Sequence, residues 1–157
     1  MTGRRDSKHR YIFDKARSYC AYQERSVFEV KKKLNEWKVR PEIATRVICS
    51  LEEENYLDEE RFARVFAGGK FRIKKWGRNK IIAELRARRV PELLIQQGLE
   101  EIDDNEYDKT LKEVIEKKSA AFSDPQSIEV KKKILNFVLS RGFEKHLILE
   151  KYTKLFI

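Results

Sequence analysis

The sequence predicts an all-α protein made of three tandem three-helix repeats, about nine helices in all. The 157 residues contain only six Gly and three Pro, which leaves little material for the turns of a sheet. Lys, Arg and Glu, which favour helices, dominate the polar positions. A pattern of apolar residues at helical spacing occurs three times along the chain, and no segment is typical of a strand.

The repeated pattern is a block of six apolar residues, separated in order by 4, 5, 4, 5 and 3 positions. The second block lies 51 residues after the first, and the third lies 53 residues after the second. Apolar residues three and four apart share one face of a helix, so each block predicts two amphipathic helices that pack together. The blocks are Val30, Leu34, Val39, Ile43, Ile48 and Leu51; Ile81, Leu85, Val90, Leu94, Leu99 and Ile102; and Ile134, Val138, Phe143, Leu147, Tyr152 and Leu155.

A tight turn is expected in the middle of each block. The first two turns end in Pro41 and Pro91, and a proline at the first position of the next helix loses no hydrogen bond. In the third turn Gly142 can adopt the left-handed conformation that terminates a helix. Three different sequences are thus expected to form the same turn.

One further helix is predicted before each block. The first runs from about Tyr11 to Gln23, the second follows Asp58 as N-cap, and the third begins near Asp104 or Asn105. The boundaries predicted from this pattern are a flexible basic arm at 1–10, containing Arg4, Arg5, Lys8 and Arg10, and repeats at 11–55, 56–104 and 105–157.

The second helix of a repeat also has recognisable start residues. Ser26 and Glu29 fit a capping box at the start of the first block. In the third repeat, Asp124 followed by Pro125 predicts an N-cap before a proline in the first helical position.

The composition indicates a water-soluble chain. No apolar run approaches the length of a membrane span, and no signal-peptide core follows the N-terminus, so we expect a cytoplasmic monomer without membrane contact. The two cysteines, Cys20 and Cys49, lie in apolar helical segments without a Cys-x-x-Cys motif. Both are interpreted as reduced, buried side chains.

No residue pattern typical of an enzyme is found. His9 and His146 lie at opposite ends of the chain, and neither has a partner at metal-ligand spacing. Gly69-Lys70 resembles part of a phosphate-binding loop, but Phe71 occupies the position where that motif requires Ser or Thr. The acidic clusters at 52–60 and 100–108 are interpreted as helix caps rather than metal sites. We therefore expect a protein that acts by binding, with no catalytic residues, metal or cofactor.

The positive charge is concentrated in the first two thirds of the chain. The formal net charge is +9, and residues 1–50 hold 13 basic and 6 acidic side chains, whereas residues 101–157 hold 11 of each. Within residues 70–89 only Glu84 is acidic, while nine side chains are basic: Lys70, Arg72, Lys74, Lys75, Arg78, Lys80, Arg86, Arg88 and Arg89. Such an excess repels itself and indicates an anionic partner. Trp76 could stack on a base, but Trp76 and Phe71 are interpreted as core residues.

Two motifs connect the chain to a known family. Glu24-Arg25-Ser26, Glu29-Val30 and Lys33-Leu34 resemble the opening "RE-x-S … EL … KL" of the RecX family of bacterial RecA regulators. Leu51 followed by the segment 56–63 is similar to that family's "L … G-x-LDD-x-RFA" motif.

A third motif extends the resemblance, which runs from about residue 15 to about residue 102 and so covers more than half of the chain. Arg72 through Gly77, with Ile81, Glu84-Leu85 and Val90, is similar to the family's "R … G … I … EL … G(V/I)" segment, and the third block matches by pattern alone. The chain departs from the family at Glu59, which replaces the second Asp, at Trp37-Lys38, which replaces Lys-Gly, and at Asn55-Tyr56, which replaces a glycine-containing turn.

The resemblance implies an elongated or curved array of repeats without catalytic residues. It also implies that the protein lies in the groove of a RecA filament on single- or double-stranded DNA, and alters filament assembly, strand exchange or ATP hydrolysis. The contact residues expected on this basis are Arg72, Lys74, Lys75, Arg78 and Lys80, then Arg86, Arg88 and Arg89, with Arg61 and Arg64 as further candidates.

Two other functions fit the residues. A basic protein that binds nucleic acid non-specifically would affect RecA only by competing for DNA. A helix-turn-helix regulator would use paired helices joined by tight turns, but no repeat has an obvious recognition helix rich in Asn, Gln and Arg.

Overall fold

The computed structural model describes the backbone of residues 2–157 and the side chains of residues 7–157. Over this range the chain forms nine α-helices and no strand, which confirms the predicted fold class. The helices are α1 Thr2–Tyr22, α2 Val27–Glu36, α3 Pro41–Glu53, α4 Glu59–Lys74, α5 Arg78–Ala87, α6 Glu92–Leu99, α7 Asp104–Ser119, α8 Ile128–Ser140 and α9 Lys145–Phe156.

The helices pack in consecutive triplets. Helix α1 contacts α2 and α3, α4 contacts α5 and α6, and α7 contacts α8 and α9. Helices α4 and α6 pack closely, since a β-carbon on Gly98 would lie 2.7 Å from the carbonyl oxygen of Ala63. All eighteen residues of the three apolar blocks are buried or half-buried, so the repeated spacing correctly identifies the inward faces.

Several helix starts follow the predicted chemistry. The side chain of Ser26 accepts a hydrogen bond from the Glu29 N–H (3.1 Å), and Asp58 accepts one from the Arg61 N–H (3.0 Å). Helix α7 has the same arrangement, with Asp103 as the N-cap. Pro41 occupies the first position of α3, whereas Pro91 is the N-cap of α6, one position earlier than expected.

Two predicted helix starts are wrong. Helix α1 begins at Thr2 rather than near Tyr11, so the backbone expected to form a flexible arm continues the first helix, while the side chains of Arg4 and Arg5 lie outside the described residues. Helix α8 begins at Ile128, because Asp124 caps a local turn by accepting the Gln126 N–H (3.0 Å) instead of starting the helix.

The prediction for the two cysteines is half right. Cys20 is buried, and burial raises its thiol pKa to about 11. Cys49 is exposed, since it follows the buried Ile48 on α3 and therefore points away from the core.

The turn in the middle of each apolar block contains a left-handed residue at the same position in all three repeats. Lys38, Arg89 and Gly142 occupy equivalent places and have positive φ values of 58°, 56° and 99°. Gly142 adopts this conformation without steric cost because glycine has no β-carbon, whereas the β-carbons of Lys38 and Arg89 are crowded by the backbone. The remaining two repeats form the turn at some cost in free energy.

The apolar core is divided unequally among the repeats. One cluster of buried side chains belongs to the first repeat, extending only to Leu57 just before α4. A second, larger cluster runs without interruption through the second and third repeats, from Phe62 to Tyr152. The second and third repeats therefore share a core, whereas the first has its own.

No helix in the described part of the chain is both long enough and apolar enough to span a membrane.

Candidate anion-binding surface

The basic segment spans the end of α4, a short linker and α5. Lys75 terminates α4 in the left-handed conformation (φ 57°), and Gly77 is the N-cap of α5. Phe71 is buried and the half-buried Trp76 packs against the shared core, as interpreted from the sequence. The cations of this segment are therefore carried on a backbone that is held by two aromatic side chains packed against the core.

Arg78 is held between the second and third repeats. Its guanidinium forms ion pairs with Asp104 (2.7 Å) and Glu144 (3.2 Å), and lies 3.8 Å from the ring centroid of Tyr107. The Tyr107 hydroxyl donates to Glu144 and accepts the Arg78 N–H, and burial raises the pKa of this hydroxyl. With a side chain only 24% exposed, Arg78 joins two repeats and is poorly placed to meet a partner.

Arg88 and Arg61 connect the second repeat to the first. Arg88 pairs with Glu29 of α2 (3.1 Å), and Arg61 pairs with Glu24 (2.6 Å). A third link is the Val27 N–H, which donates to the Glu59 carboxylate (2.8 Å). Burial raises the pKa of Glu59, while that hydrogen bond opposes the rise. The junction between these repeats is thus made largely by charged groups.

Two other predicted contact residues are neutralised inside the second repeat. Arg64 faces three carboxylates, with its guanidinium 3.2 Å from Glu60 and 3.3 Å from both Glu100 and Glu101. Arg86 pairs with Glu92 at 2.5 Å. Exposed pairs of this kind add little stability, but they reduce the charge available to an external anion.

The other five predicted residues form no ion pair within the described part of the chain. Arg72, Lys74, Lys75 and Arg89 are exposed, and Lys80 is half-buried. Arg89 lies 4.9 Å from the ring centroid of Phe28 in the first repeat. The structure therefore divides the predicted set into five structural arginines and five cations without a carboxylate partner.

Lys70 belongs with the unpaired cations. Its ammonium lies 5.1 Å from the ring centroid of Trp76, and the Lys80 ammonium lies 4.5 Å from the same ring. Trp76 in turn meets Phe66 edge to face. The aromatic pair holds two cations near one another, and each cation–π contact at an exposed site contributes about 0.5–1 kcal/mol. We refer to Lys70, Arg72, Lys74, Lys75 and Lys80 as the α4 basic surface.

Apolar side chains are exposed beside the α4 basic surface. Val65 and Ile73 on α4 are 53% and 78% exposed, and Gly69 lies between them on the same face. Together with Phe66 they line a cavity of about 500 Å³ that also reaches Glu24 and Glu29 of the first repeat. Basic, apolar and acidic groups thus meet at the junction of the first two repeats.

The acidic partners of the arginines could not be identified from the sequence. Glu29 and Arg88 are 59 residues apart, and Glu144 and Arg78 are 66 apart, so no local spacing connects them. The position of Arg141 was also not predictable from the sequence; its guanidinium donates to the carbonyl oxygen of Lys74 (3.0 Å), 67 residues away. These contacts arise only when the repeats are stacked.

The chemistry of the surface is that of a binding site for anions. Amino and guanidinium groups without carboxylate partners attract phosphate or carboxylate. Within the described residues, no group of three or more His, Cys, Asp or Glu side chains is placed to hold a metal ion.

Comparison with protein-family models gives two adjacent matches. Residues 13–51 match the model described as "RecX, first three-helix domain", and residues 58–99 match "RecX, second three-helix domain". The first span begins in the middle of α1 and ends two residues before the end of α3, whereas the second includes the whole of α4, α5 and α6.

Curated relatives carry the same family name. A "Regulatory protein RecX" of Lactobacillus johnsonii is 35% identical over 132 residues, which cover 84% of this chain and 49% of the relative. One of Chlorobium limicola is 32% identical over 133 residues, covering 83% of this chain and 80% of the relative. The chain spans about half the length of the relatives from L. johnsonii and L. gasseri.

A solved structure has the same arrangement of helices. The crystal structure of RecX from Lactobacillus salivarius superimposes with a TM-score of 0.82, covering 95% of both chains at 20% sequence identity. At that identity the likeness concerns the fold, and it includes the third triplet because nearly the whole chain is aligned.

Proposed function

Because the chain belongs to the RecX family of regulatory proteins, we propose that it binds the RecA filament on DNA and modulates its assembly, strand exchange and ATPase activity. It acts as a cytoplasmic monomer in recombinational repair and the SOS response. The observation that carries the proposal is the α4 basic surface, which has no carboxylate partner among the described side chains, whereas five neighbouring arginines are neutralised by internal ion pairs.

The arrangement of the repeats supports a long partner. Contacts run from the first repeat to the second through Arg88 and Glu29, and from the second to the third through Arg78 and Glu144. A row of repeats offers contacts at several places along a filament. Linked weak contacts bind far more tightly together than any one of them alone.

The α4 basic surface supports binding through charge. In the structure Arg72 and Lys74 are exposed on the last turn of α4, where cations also favour the negative end of the helix. A filament carrying DNA offers phosphates and acidic side chains at close spacing. The proposal assigns Arg72, Lys74 and Lys75 to direct contact, and gives Arg78 and Arg88 a structural role.

The test is the ATPase activity of RecA on single-stranded DNA, titrated with this chain. We expect the wild-type chain to change the rate, and the double variant Arg72→Glu, Lys74→Glu to require at least about tenfold more protein for the same effect, since each reversed charge loses of the order of 1 kcal/mol at a partly desolvated contact. Lys109→Glu, Lys132→Glu is the matched control, because both lysines are exposed on the third repeat.

The outcomes separate the family inference from the surface assignment. An ATPase rate that stays constant at every ratio of wild-type chain to RecA contradicts the proposed function. If the variant and the control both change the ATPase rate at the same concentrations as the wild-type chain, the chain still binds RecA. The α4 basic surface is then not the contact.

The net charge of +9 favours a second candidate, a nucleic-acid-binding protein that affects RecA only by competing for DNA. If about six phosphates are contacted, the logarithm of the binding constant should fall with the logarithm of salt concentration at a slope near −5. A shallow slope, with binding retained to RecA that carries no DNA, would exclude this candidate.

A further inference from the structure

A second group of cations lies at the junction of the second and third repeats. It surrounds a cavity of about 420 Å³ whose lining includes Lys75, Lys117, Lys118, Arg141 and the aromatic ring of Phe137. Lys75 is shared with the α4 basic surface, while the other residues come from the third repeat. Residues 101–157 hold equal numbers of basic and acidic side chains, 11 of each, so this group of cations is not visible in the regional charge count.

The cations come from the ends of three helices. Lys75 is the C-cap of α4, Lys117 and Lys118 lie in the last turn of α7, and Arg141 is the C-cap of α8. The partial negative charges at three helix ends amount to about −1.5 in total. With the single carboxylate in the lining, Glu113, the four cations still leave an excess of roughly 1.5 positive charges.

These cations are not neutralised by ion pairs with the described side chains. Among the described side chains, none of the four lies within 4.0 Å of a carboxylate oxygen, in contrast to Arg78 and Arg88. Arg141 is held in place by its bond to the Lys74 carbonyl, and its Nε is buried without a hydrogen-bond partner. The Arg141 guanidinium therefore has no carboxylate among the described side chains to neutralise it, and an acceptor that carries negative charge would stabilise it.

The floor of the cavity is apolar. Val114 is buried in the shared core, and Phe137 is half-buried with the Lys118 ammonium 4.4 Å from its ring centroid. Phosphate on cations beside a base on an aromatic ring is the combination that proteins use for single-stranded nucleic acid. A carboxylate-rich peptide would use the cations but not this floor.

We propose that this cavity binds a nucleotide of a single nucleic-acid strand, with its phosphates on Lys75, Lys117, Lys118 and Arg141 and its base against Phe137. The inference rests on the proposed function, because it assigns the DNA contact within the complex to the junction of the second and third repeats. Lys75 then links the two surfaces, so that a strand leaving the cavity continues along the end of α4.

The test is the binding of a fluorescein-labelled oligothymidylate to the full chain, followed by fluorescence anisotropy over a range of salt concentrations. We expect Lys117→Gln, Lys118→Gln to weaken binding about tenfold at low salt and to make the salt slope shallower by about 1.4, which corresponds to two lost phosphate contacts at about 0.7 each. Both lysines lie at the end of a helix with no ion pair among the described residues, so the fold tolerates the change.

Two further variants make the result specific. Lys109→Gln, Lys132→Gln removes the same charge from exposed positions of the same repeat, and we expect wild-type affinity and slope. Phe137→Leu removes the aromatic face without changing the charge. It should weaken binding while the salt slope stays unchanged.

If the cavity variant and the control lose the same amount of affinity for oligothymidylate, the proposal is wrong, because binding then depends only on the net charge of the chain. The proposal is also wrong if the cavity variant keeps its affinity for oligothymidylate but loses binding to RecA that carries no DNA, because the cavity then receives a protein. The oligothymidylate measurement contains no RecA, so its failure is distinguishable from a failure of the proposed function in the ATPase test.

Discussion

At the scale of single residues, arginine has two separate roles in this chain. Arg61, Arg78 and Arg88 each reach a carboxylate on another repeat or on the segment leading to it, and so hold the repeats together. Arg72 forms no such pair with any side chain in residues 7–157, and it lies against Gly68, where a side chain would collide with the guanidinium. The forked guanidinium suits the bridging role, because it can satisfy two acceptors at once, as Arg78 does.

Strained backbone positions are also a property of single residues. Lys38 (φ 58°) and Asn55 (φ 62°) adopt the left-handed conformation at the two places where the family motif carries glycine. A left-handed conformation costs a residue with a β-carbon about 1–2 kcal/mol, less for Asn. The family's glycines are thus explained by backbone geometry, and this chain forms the same turns without them.

The first prediction concerns Lys38. Lys38→Gly should raise the free energy of unfolding by about 0.5–1 kcal/mol, because the relief of strain exceeds the extra entropy of glycine in the unfolded chain. Urea denaturation measures the change. Lys32→Gly, inside α2, is the control and should lower stability by about 1 kcal/mol. A loss of stability in Lys38→Gly would show that the turn is not strained.

At the scale of helices and turns, close backbone contact fixes the junction of the second and third repeats. The Gly77 N–H donates to the Arg141 carbonyl (2.8 Å), and the Asn79 N–H donates to the Gly142 carbonyl (2.9 Å). A β-carbon on Gly77 would overlap the backbone of Gly142 and Phe143. The start of α5 is therefore attached to the turn between α8 and α9 at a distance that only glycine permits.

The second prediction compares two glycines. Gly77→Ala should destabilise the chain by about 1–3 kcal/mol, since the added methyl group separates two hydrogen-bonded backbones. Gly69→Ala is the matched control. A β-carbon there meets nothing within 4 Å, so alanine should stabilise α4 by up to about 1 kcal/mol. Thermal and urea unfolding report both changes, and similar effects at the two positions would contradict the close contact.

Local chemistry made most of the helices predictable, and contacts between repeats made part of the site unpredictable. The sequence predicts the helix caps at Ser26 and Asp58, and the apolar blocks, because these features depend only on residues that are neighbours in the sequence. The ion pairs of Arg78 and Arg88 join residues more than fifty positions apart. Asp124 failed as a helix start because its side chain capped an earlier turn, a choice that sequence spacing alone does not decide.

At the scale of the whole molecule, the three repeats are not equivalent in how they are held. The second and third share one apolar core, whereas the first has a core of its own and meets the second through the charged contacts of Glu24, Glu29 and Glu59. Charged contacts between exposed groups are weakened by salt, whereas the burial of apolar side chains in a shared core is not screened in this way. The first repeat is therefore expected to unfold separately from the other two.

The third prediction follows from this division. Leu34→Ala, in the core of the first repeat, should cost about 2–5 kcal/mol and reduce amide exchange protection in α1–α3 alone. Ile134→Ala, in the shared core, should reduce protection in α4–α9 together. Hydrogen exchange with mass spectrometry resolves the segments. Equal loss of protection along the whole chain in Leu34→Ala would mean that the three repeats form one cooperative unit.

In the proposed function, this chain lies along a RecA filament and meets it with the end of α4. Electron cryomicroscopy of RecA filaments on single-stranded DNA, saturated with this chain, tests this arrangement. We expect density for a row of three-helix repeats in the filament groove, with Arg72, Lys74 and Lys75 facing the filament. Filaments without added density at saturating protein, or density in which these residues face solvent, would contradict it.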